Sequence, residues 1–180
     1  MEKKVLVISA SPRKHGNSDM LCDQFIKGAV EAGHQAEKIY FSDEKIGYCT
    51  GCGVCVDKHQ CSQNDDMVKI LDKLIACDVL VLSTPVYFYC MNAQMKTFID
   101  RTAPKYQEMK NKDIYFILTA ADSGISAMDE TIHALRGFSS LLPYSKEKGI
   151  IYGLSMWNMG DAENSPTLNE AYKMGREIEV

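Results

Sequence analysis

Nothing in this 180-residue sequence is apolar for long enough to cross a bilayer or to serve as the core of an export signal. The run that follows Lys3 and Lys4 is about six residues, against ~7–15 for a signal core and ~20 for a span. A cytoplasmic location is therefore expected, with no membrane partner. Basic excess is also missing: 20 Lys+Arg stand against 24 Asp+Glu, a formal net charge of −4. Without a clustered basic footprint, nucleic acid is excluded as a partner. Neither Gly-x-Gly-x-x-Gly nor Gly-x4-Gly-Lys-Ser/Thr occurs, which removes the dinucleotide fingerprint and the nucleoside-triphosphate loop. Cysteine, by contrast, is not scarce. In a chain with no export signal, seven cysteines point to metal or redox chemistry rather than to structural disulfides.

What is present is a series of apolar runs without polar alternation: Val5 to Ile8, Val79 to Leu82, Ile114 to Leu118 and Gly149 to Leu154. Such runs mark strands buried on both faces. A more polar strand, Ala36 to Phe41, belongs nearer an edge. Between the strands, apolar residues recur every three or four positions, as in Leu21, Phe25, Ala29; Met67, Ile70, Leu74; Met91, Met95, Phe98; Met128, Ile132, Leu135; and Leu168, Ala171, Gly175. Strand and helix alternate about five times, which predicts an α/β three-layer sandwich around a five-stranded parallel sheet of order 2-1-3-4-5. The expectation is a single domain over residues 1–180, with one long irregular, cysteine-rich loop at about 43–64.

Ligands of such sheets bind beyond the carboxyl ends of the strands. After the first strand, Ser11-Pro12-Arg13 leads through His15 and Gly16 to Asn17-Ser18 and a helix. Hydroxyls, an arginine and a helix N-terminus make a phosphate site. The plainer alternative is that Asn17 or Ser18 only caps the helix. A receiver domain would need acidic residues at these strand ends to hold a divalent cation, but Ser9 and Ser83-Thr84 stand there. A thiol phosphatase would need a cysteine in the first loop, and none is present. After the third strand, Pro85-Val86-Tyr87-Phe88-Tyr89 places three aromatics together. They cannot all face inward, so at least one is exposed for ring stacking or for a subunit interface. After the fourth strand, Ala121 and Asp122 sit among small residues suited to close approach by a flat heterocycle.

Ser-Pro-Arg-x-x-Gly-Asn-Ser at 11–18, Pro-Val-Tyr at 85–87 and Gln-Met-Lys-x-Phe-Ile-Asp-Arg at 94–101 together resemble the flavodoxin-like NAD(P)H-dependent FMN reductases. The cysteine run is similar to that of the iron–sulfur flavoprotein branch. The resemblance implies FMN, with its phosphate held by Ser11, Arg13, Asn17 and Ser18. Its ring would lie against Pro85, Val86, Tyr87 and Phe88, with Ala121 and Asp122 near the other edge. It further implies hydride delivery from NAD(P)H to the flavin and onward transfer to a small-molecule or quinone-like acceptor, or to a ferredoxin-like protein. A homodimer or homotetramer is expected. The flavin carries the chemistry, so no catalytic side chain is assigned.

Cys49, Cys52, Cys55 and Cys61 pack four thiols into thirteen residues, with Gly51 and Gly53 between them. Three arrangements are open. The thiols could ligate a 4Fe–4S cluster, which would make the chain an electron carrier; they could hold a structural zinc, disfavoured because zinc ligands come as two separated pairs; or they could be free. Cys22 and Cys77 read as buried small hydrophobes, and Cys90 lies near the expected ring. His15, His34, His59 and His133 read as surface residues. Trp157 and Met159, past the fifth long strand, are placed to cover a ligand or to meet a partner chain.

Overall fold

A computed structural model describes residues 1–179. The strands are β1 (Lys4–Ser9), β2 (Gln35–Tyr40), β3 (Val79–Tyr87), β4 (Cys90–Met91), β5 (Asp113–Thr119) and β6 (Lys146–Gly153). The helices are α1 (Asn17–Glu31), α2 (Val54–Lys58), α3 (Met67–Ala76), α4 (Ala93–Arg101), α5 (Asp129–Ser139) and α6 (Pro166–Arg176). The long strands pair in parallel in the order β2-β1-β3-β5-β6, which is the expected five-strand order. The addition is β4, two residues that turn back antiparallel onto the end of β3. Met91, expected to open a helix, belongs to this strand, and α4 begins after Asn92.

The three layers follow from the period of two along each strand. Leu6, Ile8, Leu80, Leu82, Phe116 and Leu118 point to the side covered by α3, α4 and α5. Their neighbours Val5, Val7, Val79, Val81, Tyr115 and Ile117 point to the side covered by α1 and α6. Each fully buried side chain of this kind is worth ~1.5–3 kcal/mol, which is why the central strands have no polar face. In β2 only Ile39 is buried, in keeping with its place at the sheet edge. At the far end of α3, Lys112 is buried and its Nζ donates to the carbonyls of Ile75, at 2.8 Å, and Cys77. A cation there satisfies carbonyls that the helix leaves open, and burial pushes its pKa down. His34, read as a surface residue, is buried: its ring accepts from Lys3 N at 3.2 Å and faces the carbonyl of Ile178 at 3.3 Å.

Helices α1 and α6 meet backbone to backbone. A Cβ on Gly28 would stand 2.1 Å from the Tyr172 carbonyl oxygen, and one on Gly175 would stand 2.0 Å from that of Phe25. Neither obstacle is a side chain that can swing away. Gly175→Ala is expected to lower stability by about 1–3 kcal/mol through overpacking. Gly137→Ala, inside α5 with nothing within 4 Å of the new methyl, should instead raise it by about 0.5–1 kcal/mol. Urea denaturation of both variants checks the pair, and equal midpoints would contradict the packing assignment.

Candidate functional site

The segments that follow β1, β3, β5 and β6 converge on one cavity of about 480 Å³, lined by Ser11, Arg13, Gly16, Asn17, Ser18, Pro85, Val86, Tyr87, Phe88, Thr119, Ala121, Met156, Trp157 and Met159. The volume lies within the roughly 300–1,000 Å³ usual for small-molecule sites. Of the ten residues expected to hold a ligand, nine line this cavity. Asp122 does not: it is exposed, and its Oδ1 accepts from Gly124 N at 2.7 Å.

At one end of the cavity, α1 opens without a side-chain cap: its N-cap is Gly16. Asn17 and Ser18 are therefore not capping residues. Asn17 bonds across the fold, donating from Nδ2 to the Asn158 carbonyl at 2.8 Å and accepting from Ala162 N at 3.1 Å. Ser18 Oγ lies 2.6 Å from Thr119 Oγ1, both buried. These contacts pin the helix start to the ends of β5 and β6 and leave first-turn N–H groups free for an anion. Ser11 Oγ accepts from Arg13 N at 3.2 Å, and Asp19 accepts from His15 N at 2.9 Å, which folds the loop back over the helix. Lys14 is occupied by Asp43 at 2.7 Å, whereas Arg13 is exposed at the cavity wall. A phosphate fits this donor set.

The other end is apolar and open. Phe88 is 101% and Trp157 74% exposed. Phe88 and Tyr89 both have positive φ, 50° and 64°, where bulky side chains are strained by about 1–2 kcal/mol per residue. They form the tight reversal between β3 and β4 and hold Phe88 clear of the core. A planar ring lodged here would remove this aromatic surface from water, so the residues fit a flavin ring as well as its phosphate. Sequence reasoning missed Gly16, Thr119 and Met156. Thr119 directly follows the expected strand Ile114 to Leu118, a signal that could have found it.

The cysteine loop lies elsewhere, under the end of α4. Cys49, Cys52, Cys55 and Cys61 line a separate cavity of about 200 Å³ floored by Arg101. Within the loop, expected to be irregular, α2 forms a single turn and a half between left-handed Gly53 and His59. Arg101 is 1% exposed. It pairs with Asp65 through two bonds of 2.7 and 2.8 Å and donates to the Gly47 carbonyl at 2.5 Å. Burial would raise the Asp65 pKa, but these bonds and the Gly47 and Met67 amides outweigh it and hold the carboxyl below its ordinary value. Outside the loop, burial pushes the Cys22 thiol up to about 12 and the Cys77 thiol up to about 11. Both are inert core residues, as expected, while Cys90 is exposed.

The class defined by this fold and cavity is a flavodoxin-like α/β domain, and solved structures agree. A NAD(P)H:quinone oxidoreductase from Methanothermobacter marburgensis superposes with TM-score 0.77 at 16% identity, covering 100% of this chain and 98% of that one. An azoreductase from Bacillus anthracis gives 0.74 at 17%, covering 97% and 99%. At these identities the likeness is one of fold. The family is settled by sequence: the model of NADPH-dependent FMN reductases matches residues 3–147, and the chain belongs to that family. An iron-sulfur flavoprotein of Archaeoglobus fulgidus is 44% identical over 101 residues, 56% of this chain and 46% of that protein. Another from Methanosarcina thermophila is 31% identical over 135 residues, 73% of this chain and 70% of that one. The chain thus spans about half the length of the first of these relatives.

One expectation is corrected. A 4Fe–4S cluster on Cys49, Cys52, Cys55 and Cys61 requires thiolates converging on one centre, and among the described residues no three His, Cys, Asp or Glu side chains are grouped to hold a metal ion. The four cysteines share a cavity as free thiols, and the donor set does not fit the cluster. The spacing allowed convergence without compelling it, because left-handed Gly51 and Gly53 permit the loop to wrap with its thiols convergent or apart.

The Arg101–Asp65 pair generates a pH prediction. Asp65 has a depressed pKa in the folded state, so its contribution is present above the ordinary carboxylate value near 4 and is lost as pH falls through the folded value. Asp65→Asn should cost about 3 kcal/mol at neutral pH by leaving a buried guanidinium without its anion. The difference from wild type should narrow in acid. Denaturant melts at pH 7 and pH 3 measure both, and a cost independent of pH would contradict the assignment.

Proposed function

We propose that the chain, as one domain over residues 1–180, binds FMN in the cavity at the strand ends and acts as an NAD(P)H-dependent flavin oxidoreductase. The observation that carries this reading is the pairing, in one cavity built from four separate strand ends, of an uncapped helix start beside Arg13 with a pair of exposed rings, Phe88 and Trp157. Membership of the reductase family supports it.

FMN, when bound, supplies the hydride-accepting chemistry and the onward electron transfer. The chain's own residues bind and orient. Arg13 and the first-turn amides of α1 take the phosphate charge, with Ser11 shaping the loop. Pro85, Val86, Tyr87 and Phe88 form one wall for the ring, and Ala121 lets it approach the opposite backbone closely. Thr119 and Ser18, bonded to each other, keep the floor dry of unpaired hydroxyls. Because Phe88 and Trp157 stand exposed at the mouth, a second planar ring has a surface to stack on. The donor nicotinamide and a small planar acceptor would use it in turn, as expected when no separate nicotinamide motif exists.

The exposed row Tyr87, Phe88 and Tyr89 also supports association with a second copy of the chain, since aromatics are enriched at such interfaces. Among the described residues no helix is long and apolar enough to cross a membrane.

Protein reconstituted with FMN and mixed anaerobically with NADPH or NADH should lose its oxidised-flavin absorbance within the stopped-flow record. A flavin that stays oxidised with both donors would overturn the reading. Arg13→Gln should raise the Kd for FMN by about 10- to 100-fold, the value of a charge-assisted contact of ~1.5–3 kcal/mol. The melting temperature of the FMN-free protein should not change.

A further inference from the structure

The helix start that is left open for a phosphate also holds a carboxylate. Asp19 stands in the first turn of α1 and is 3% exposed. Its Oδ2 accepts from His15 N at 2.9 Å, and His15 is left-handed, with φ of 55°. The bond explains why an acidic residue stands there. It holds the turn that lays the first loop over the helix, as the acidic member of a capping box reaches back to an amide ahead of its helix. The helix dipole favours the same charge. A conflict follows, because a phosphomonoester carries about 1.5 to 2 negative charges at neutral pH and would share one helical turn with a buried anion.

The edge strand β2 supplies the answer from behind. Its residues Ala36, Lys38 and Tyr40 are half-buried, and Ala36 packs with the cluster that α1 covers. Lys38 therefore occupies an inward position of the period of two. Its Nζ lies 2.6 Å from Asp19 Oδ1 and 2.5 Å from Asp23 Oδ1, bridging two carboxylates a turn apart on α1. Among the described residues no other cation pairs with either of them. The Asp19 side chain is 4% exposed and that of Asp23 52%, so water screens the second charge but hardly the first. Burial would lower the Lys38 pKa, but its bonds to Asp19 and Asp23 outweigh that and raise it above the ordinary lysine value. Lys14 cannot substitute for it, being held by Asp43 at 2.7 Å. Arg13, Asp19, Asp23 and Lys38 together carry no net charge; without Lys38 the same set is anionic.

We propose that Lys38, although it does not line the cavity, determines the preference of this site for a phosphorylated flavin. By neutralising Asp19 inside the first turn of α1, it allows a carboxylate to hold the loop and a phosphomonoester still to enter. The proposal rests on the flavin reading and gives that site a positioning residue on a strand that contributes nothing to its walls. Its effect is confined to the phosphate end, so it separates FMN from riboflavin and leaves the affinity for the ring alone.

The test is a pair of titrations, FMN and riboflavin, followed by flavin fluorescence on flavin-free protein, with thermal melts of each variant to show that it is folded. Wild type should bind FMN more tightly than riboflavin. Lys38→Met should raise the Kd for FMN by about 10-fold and that for riboflavin by less than about 2-fold. Lys38→Arg should keep the wild-type preference. Asp19→Asn, which retains an acceptor for His15 N, should bind FMN at least as tightly as wild type, and this variant carries the test if Lys38→Met does not fold. The double variant Asp19→Asn/Lys38→Met should recover most of the lost FMN affinity, the coupling expected of a charge pair. A purely structural role for the pair would instead show as weaker FMN binding in Asp19→Asn and a double variant no better than Lys38→Met, and either result overturns the proposal. Equal losses for both flavins would overturn it too. Wild type that binds neither flavin would overturn the flavin reading and this proposal with it, whereas a Lys38→Met protein that keeps the FMN preference overturns this proposal alone.

Discussion

One buried amide holds the working end of the molecule together. Asn92 is 1% exposed, and its side chain and backbone amide make four contacts at once. Oδ1 accepts from Met95 N at 3.0 Å, which starts α4, and from Thr84 Oγ1 at 3.1 Å. Nδ2 donates to the Ala10 carbonyl at 2.6 Å, where β1 gives way to the first loop. Its backbone N–H donates to Thr84 Oγ1 at 3.2 Å. The ends of β1 and β3 and the start of α4 are thus fixed by a single side chain whose donors and acceptor are used. The first loop and the Pro85–Phe88 wall can face each other across the cavity because this joint sets their spacing.

The strain at Phe88 and Tyr89 is the counterpart of that rigidity. A two-residue reversal between antiparallel strands favours positive φ at both positions, and glycine or asparagine is the usual choice. Two aromatics in those places store free energy that the Asn92 joint and the β3 ladder offset. Strain of this kind collects at functional sites. Its effect here is to keep the Phe88 ring from folding down onto the cavity that it borders.

Much of this was legible in the residues. Unbroken apolar runs from Val5, Val79 and Ile114 carry their own signal, because a strand buried on both faces leaves no room for polar side chains. The Ser11-to-Ser18 segment was legible because its residue types are unusual together. What escaped has physical reasons. Asp122 looked like a ligand contact but turns to satisfy the amide of Gly124, a local choice that its neighbours do not reveal. His34 is a ring that no periodicity marks as buried, and its partners Lys3 and Ile178 lie far off in sequence. The two-residue β4 is too short to show a period of two. In the cysteine run, spacing alone could not separate convergent thiols from thiols spread around a cavity, since left-handed glycines permit either.

The backbone contacts of Gly28 with Tyr172 and of Gly175 with Phe25, together with Asn17 reaching residues 158 and 162, have a consequence for the order of assembly. On the ribosome, the loop after β1 emerges early, but the helix that it starts, although it packs on β1, β3 and β5, lacks its closest neighbour until α6 is made. Nor can Asn17 find its partners before the segment after β6 has left the exit tunnel. The first part of the binding cavity to be synthesised is thus among the last to be completed. A nascent chain stalled beyond β6 would carry the first loop and its arginine without the architecture that aims them.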